Sequence, residues 1–278
     1  YNILIAHSNA YRQMEFKHWQ DFRDYTHNIG PYSLSIGAIK PVNLQHMLIV
    51  GQTGTGKSYA IYSLILQMLF KNINYELYFA DPKMSGLNRV GKILGFPKIR
   101  NAVEVDEIIE SLELFNKKLK EREKEMNTLM MGGIEADYTT FDLEPHVFIF
   151  EEYAAFRLAL NTRSKAERDR VDSLIANIVL KGRQLGFLII VAMQKSDADI
   201  IKTAFRDNLP LKILLGNALD TTKITTFGPG VEVPNIRKEL GQGIYTEPSL
   251  ASEIPKICFF PYLNFDINEA FTFFNTIY

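Results

Sequence analysis

The run Gly51-Gln52-Thr53-Gly54-Thr55-Gly56-Lys57-Ser58 has the spacing G-x-x-x-x-G-K-[ST], whose chemistry is the holding of phosphate. The glycines Gly51, Gly54 and Gly56 let the main chain wrap closely around an anion. The loop then turns its N–H groups toward that anion, those of Thr53 and Thr55 included. A helix starting here adds the positive end of its dipole. Lys57 is expected on the β- and γ-phosphates and Ser58 on Mg2+, with Tyr59 closing the cofactor-binding run. The ligands implied are ATP and Mg2+.

A second constellation lies downstream. The apolar stretch 147–150 ends in Glu151-Glu152. Two adjacent carboxylates at the end of a buried strand are costly unless a cation sits nearby. A phosphate-loop enzyme needs an acid near the metal and a base to orient the attacking water. Glu151 is assigned to the Mg2+ shell and Glu152 to the water. A third apolar stretch, 187–192, runs into Met193-Gln194, and the Gln194 amide is placed to sense the γ-phosphate. Arg183 or Arg206 could supply transition-state charge to a neighbouring subunit's ATP; either is equally readable as a surface arginine.

The elements that must position these residues follow from periodicity. An apolar strand over 46–50 precedes the loop, and helical spacing covers 59–70 through Ile61, Leu64, Ile65, Met68 and Leu69. A second strand over 77–80 ends at Asp81-Pro82. A long helix is predicted over 104–130, its mixed charges forming a solvated face. Residues 131–144, with Gly132-Gly133, read as a loop, and a helix covers 168–182. A further strand is expected over 211–215, and Gly228-Pro229-Gly230 marks a turn. Apolar strands alternating with helices imply an α/β fold: a mainly parallel central sheet with helices on both faces. Residues 1–28 are rich in aromatics, Tyr11 and Tyr25 among them, and the spacing of Phe16, Trp19 and Phe22/Arg23 predicts an amphipathic helix near the N-terminus. Residues 1–38 are read as a helical, aromatic segment packed on or linking to the main domain, and 39–278 as that domain.

Composition excludes several classes. A net charge of -1 removes any global basic signature, so contact with nucleic acid must come from a local patch or a channel shared by subunits. Cys258 is the only cysteine, which rules out an internal disulfide framework or a cysteine-based metal site and fits a reducing cytosol. No apolar run approaches the roughly 18 residues a membrane span needs. The chain starts at Tyr1 without an initiator methionine, which fits an N-terminal anchor lying outside it.

Taken in order, these pieces resemble the FtsK/SpoIIIE family of DNA translocases, within the RecA-like P-loop NTPases. The similarity runs over about 39–261. Beyond the phosphate loop it rests on several motifs: Asp81-Pro82-Lys83, Gly182-Arg183-Gln184-Leu185-Gly186, Ala192-Met193-Gln194-Lys195, Asn208-Leu209-Pro210 and Gly241-Gln242-Gly243-Ile244-Tyr245. Glu151-Glu152 stands where the family has Asp-Glu, and Ala192-Met193-Gln194 where it has A-T-Q. The resemblance implies a homo-hexamer ring with ATP between subunits, DNA of unspecified strandedness through the centre, and hydrolysis driving the DNA. The family's C-terminal winged-helix module has no room after Tyr278, which disfavours a chromosome-segregation pump. A compact domain of this kind is similar to the coupling ATPases of Gram-positive conjugative elements. That implies a place at the cytoplasmic face of the membrane, with relaxase and channel proteins as partners. The alternatives are an ATPase powering type VII-like protein export and a nucleotide-binding scaffold with little turnover. Lys195, Lys202 and Arg206 are candidate DNA contacts, equally readable as solvated charges.

Overall fold

The computed structural model describes residues 13–95, 99–129, 136–197, 199–234, 239–248 and 254–277; Tyr11 and Gly132-Gly133 lie outside them. In chain order the strands are β1 (Glu15–Phe16), β2 (Ser33–Leu34), β3 (Val42–Asn43), β4 (Met47–Gly51), β5 (Glu76–Ala80) and β6 (Ile99–Ala102), followed by β7 (His146–Glu151), β8 (Phe187–Met193), β9 (Leu211–Leu215), β10 (Gln242–Thr246), β11 (Lys256–Phe259) and β12 (Tyr262–Leu263). The α-helices are α1 (Trp19–His27), α2 (Lys57–Leu69), α3 (Gly86–Leu94), α4 (Val105–Leu129) and α5 (Tyr153–Leu160), then α6 (Lys165–Leu185), α7 (Thr203–Asp207), α8 (Asp220–Phe227) and α9 (Ile267–Ile277).

Eight strands form one sheet in the order β11-β10-β9-β4-β8-β7-β5-β6. From β9 to β6 every neighbouring pair is parallel, while β10 and β11 close one edge antiparallel. Strands β4, β7 and β8 are buried at every position, because helices cover both faces. Alternation decides which core each side chain enters. Met47, Ile49, Leu77, Phe79, Val147 and Ile149 pack with Ile61, Leu64 and Ile65 of α2. Leu48, Val50, Tyr78, Phe148 and Phe150 pack with α4 and α6 through Leu112, Phe115, Leu119, Ile175 and Ile178. This is the α/β architecture that the apolar stretches predict.

The N-terminal helix begins later than its aromatic spacing predicts. Phe16 belongs to β1, which pairs parallel with β12 through Phe16 and Leu263. Helix α1 then buries Trp19 and Phe22, and the Trp19 ring lies 4.1 Å from Phe273 of α9 and 6.1 Å from Phe70 after α2. The Lys71 ammonium donates to the carbonyls of Thr26 and Ile29 at 3.2 and 3.0 Å and so closes the end of α1. Burial pushes the Lys71 pKa down to about 8. Residues 19–29 are therefore fastened to the helix that follows the phosphate loop.

His46, just ahead of β4, is 1% exposed and accepts from the Ile189 N–H through Nδ1 at 3.1 Å. Burial first, and the Arg183 charge second, push its pKa from 6.5 down to about 3. Between those values the unfolded chain takes up a proton that the folded protein refuses. Stability is thus complete above about pH 6.5 and declines as pH falls toward 3, by at most about 1.4 kcal/mol per unit for this one proton. Urea unfolding across pH 7 to 4 should show a shallower decline for His46→Asn, which keeps an acceptor and cannot titrate. Equal slopes for the two proteins would remove His46 as the cause.

Candidate nucleotide site

Sheet order explains how residues far apart in sequence come together. Strand β8 lies between β4 and β7, and β5 lies beyond β7. All four are parallel, so their C-terminal ends open on the same side, where parallel sheets bind ligands. The register pairs Val50 with Met193, Glu151 with Ala192, and Phe150 with Ala80. The phosphate loop, Gln194, the two glutamates and Asp81 therefore leave the sheet in a row.

The loop from β4 to α2 is shaped by Gly56. Its φ of 93° lies in the left-handed region, and a Cβ there would come within 2.9 Å of the Gly241 nitrogen. The Gly241 N–H donates to the Thr55 carbonyl at 3.0 Å, so the motif that starts at Gly241 braces the loop from outside. Thr55 Oγ1 donates to the Gln52 carbonyl at 2.8 Å and closes the turn. Gln52, Thr53 and Gly54 stay exposed at the rim. Tyr59 projects from the first turn of α2, half exposed, its ring 6.1 Å from that of Tyr62.

The two loop side chains with chemistry each meet one glutamate. Ser58 Oγ donates to Glu151 Oε1 at 3.1 Å. Lys57 Nζ lies 3.3 Å from Glu152 Oε2, with the two side chains 10% and 8% exposed. The second Glu151 oxygen accepts from the Leu87 N–H at 3.1 Å, so this carboxylate also caps the first turn of α3. Glu152 has φ 62° and ψ 60°, a left-handed conformation uncommon for a residue with a side chain; such strain persists where the surroundings impose it and clusters at functional sites. Glu152 Oε1 receives a long contact, 3.5 Å, from the Gln194 backbone N–H, while the Gln194 side chain is exposed.

The donor set fits Mg2+. Ser58 and Glu151 offer two hard oxygens already in contact, and Mg2+ takes one or two carboxylates plus phosphate oxygens and water instead of an all-protein cage. No group of three or more His, Cys, Asp or Glu side chains able to hold a metal occurs among the described residues.

The structure does not bring Arg183 to this site within the chain. It lies on the last turn of α6, before β8 begins, and the seven residues of β8 carry the sheet about 23 Å before Gln194. Arg183 sits near His46, at the opposite end of the strands from the loop. Arg206, 13% exposed in its side chain, is engaged with Asp207 at 2.9 Å and with the Thr225 carbonyl at 3.2 Å. Lys195 and Lys202 are mostly exposed, and Lys202 pairs with Asp172 at 2.9 Å. Two contributors escaped the reading of local spacing. Lys83 stands 3.6 Å from Glu152 Oε2, and Asp81, fully buried, accepts from Ser85 Oγ and the Asn88 N–H at 2.9 Å each. The only sequence signal for either was Asp81-Pro82-Lys83 at the end of a predicted strand.

Residues 35–147 match the model of the FtsK/SpoIIIE family. The chain is 28% identical over 200 residues to an FtsK domain-containing protein, YdcQ, of Bacillus subtilis; the match covers 72% of this chain and 40% of that protein. It is 29% identical over 217 residues to a protein of Staphylococcus aureus named DNA translocase FtsK, covering 73% of this chain and 26% of the relative. The chain thus spans well under half the length of these relatives. Among solved structures, the pCW3 conjugation coupling protein TcpA, in a monomer form with ATPγS, superposes with a TM-score of 0.67 at 16% identity, covering 91% of this chain and 71% of that one. EssC (ATPases 2 and 3) from Geobacillus thermodenitrificans gives 0.63 at 16% identity, covering 84% and 44%. At that identity the likeness concerns the fold, which is that of P-loop ATPases.

Proposed function

We propose that this chain is an ATP-hydrolysing motor domain of the FtsK/SpoIIIE type that drives DNA. The observation that carries the reading is the double contact of the phosphate loop with the acid pair, Ser58 to Glu151 and Lys57 to Glu152. The triphosphate sits over the start of α2, on main-chain N–H groups and the helix dipole. Lys57 exchanges Glu152 for the β- and γ-phosphates. Ser58 and Glu151 would hold Mg2+, which would neutralise phosphate charge. Glu152, freed of Lys57, orients the attacking water and takes its proton. Gln194, whose backbone touches Glu152, links occupancy of the site to β8 and the loop beyond it.

DNA as the substrate is supported by the name of the Staphylococcus relative and by the family. A role as the coupling ATPase of a conjugative element is supported by the fold shared with TcpA. In this reading the motor works as a homo-hexamer ring at the cytoplasmic face of the membrane, with a relaxase and channel proteins as partners. Arg183 would act on a neighbouring subunit's ATP, and Lys195 and Lys202 would face DNA phosphates. Among the described residues no helix is long and apolar enough to cross a membrane.

The test is the rate of ATP hydrolysis in Mg2+ with and without single- and double-stranded DNA. Stimulation by either form is the expected result. No stimulation by DNA, with stimulation by an exported peptide, would turn the reading toward protein export. Absence of hydrolysis under all conditions would end the motor reading.

A further inference from the structure

Asp81-Pro82-Lys83-Met84 leaves the sheet at the end of β5, beside the two glutamates that end β7. It forms a tight turn: Met84 has φ 51°, and its N–H returns to the Asp81 carbonyl at 3.0 Å. The fully buried Asp81 carboxylate pins the turn, its Oδ2 accepting from Ser85 Oγ and the Asn88 N–H. Held in this way, Lys83 Nζ lies 3.6 Å from Glu152 Oε2, the same oxygen that Lys57 approaches to 3.3 Å. Two cations therefore share one carboxylate oxygen, and they differ in attachment. Lys57 belongs to the phosphate loop, whereas Lys83 belongs to a turn anchored by Asp81.

We infer that Lys83 is a positioning residue for Glu152: it holds the carboxylate in place for the attacking water once the triphosphate has drawn Lys57 away. The inference rests on the hydrolytic reading of the site. When the phosphates take Lys57, Glu152 is left almost fully buried, and a buried carboxylate without a counter-charge is unfavourable. Its remaining partner is the Gln194 N–H, on the other oxygen and at 3.5 Å. Lys83 meets that need without moving, because its turn is tied to Asp81 and α3 instead of the loop. Its side chain is 49% exposed, and so it reaches the carboxylate from the rim of the site. Orientation of a catalytic group is worth much in rate: misplacement by about 1 Å can cost on the order of a hundredfold.

The test compares Lys83→Met and Lys83→Arg with the wild-type chain, reading kcat, KM and the equilibrium affinities for ATPγS and ADP. Lys83→Met should lower kcat by about ten- to a hundredfold, with KM and both affinities within about twofold, and Lys83→Arg should restore most of the rate. In a Glu152→Gln background, Lys83→Met should cost nothing more, since both changes act through one group. A kcat within twofold of wild type would overturn the inference. So would a selective loss of ATPγS affinity, which would place Lys83 on the γ-phosphate, or a further full loss in the double variant. The wild-type rate separates the two levels. Turnover with an unaffected Lys83→Met defeats only this inference, whereas no wild-type turnover defeats the hydrolytic reading together with it.

Discussion

Glu152→Gln is expected to cut ATP turnover by about two to four orders of magnitude while ATP stays bound. The substitution keeps the shape of the side chain and an oxygen for Lys57, and it removes the group that can accept a proton from water. It leaves in place the residues proposed to hold phosphate, since Lys57, Ser58 and the loop glycines belong to another segment. Retained binding is therefore the sharper half of the expectation. Without the Glu152 charge Lys57 has less to hold it in the nucleotide-free protein, so affinity for ATP should be unchanged or higher. Filter binding beside single-turnover hydrolysis reads both halves. A variant that hydrolyses within threefold of wild type would remove Glu152 from the chemistry and favour a scaffold with some other source of turnover.

Lys57→Ala acts on binding. The ammonium is expected to make charge-assisted hydrogen bonds to two phosphate groups, each worth about 1.5–3 kcal/mol. At about 1.4 kcal/mol per factor of ten, the loss amounts to roughly a hundredfold or more in ATP affinity. The same change removes one of two cations from Glu152, which is 8% exposed. Breaking a buried pair costs about 3–5 kcal/mol when nothing else compensates. Lys83 remains at 3.6 Å, and the cost to folding should be smaller than that. Calorimetric titration with ATPγS reads the first effect and chemical unfolding the second. Affinity retained within threefold would mean that phosphate is held elsewhere.

The phosphate loop and its flanks were legible because their signals are local. The spacing of Gly51, Gly56, Lys57 and Ser58, the apolar run before it and the period of Ile61, Leu64 and Ile65 all lie within a few turns of chain. The pair Glu151-Glu152 was legible for the same reason, as acids ending an apolar strand. Strand order was not legible, and it decides that Gln194 lies between the loop and the acids. Neither the contact from Lys83 to Glu152 nor that from Gly241 to Thr55 follows from spacing, because each joins segments brought together by the sheet.

Helix α3 shows a different limit. Gly86, Asn88 and Gly91 are weak helix formers, so local propensity argues only weakly for a helix there. The helix buries Leu87, Val90 and Leu94 on one face, and Glu151 and Asp81 accept from the Leu87 and Asn88 N–H groups of its first turn. Its glycines are required by packing: a Cβ on Gly86 would fall on the Tyr62 hydroxyl, and one on Gly91 would come within 2.5 Å of Asn101. Phe16 fitted the helical spacing of Trp19 and Phe22 and was nonetheless taken into β1, because Leu263 of β12, far along the chain, offers a strand partner. In both places a tertiary contact overrides the local pattern.

The most direct test of the central claim is a structure of this chain with ATPγS and Mg2+. The Lys57 ammonium should have left Glu152 for the β- and γ-phosphates, with the metal between Ser58 and Glu151 and Lys83 still against Glu152. A triphosphate bound away from residues 51–58, or Lys57 still paired with Glu152 beneath it, would contradict the account.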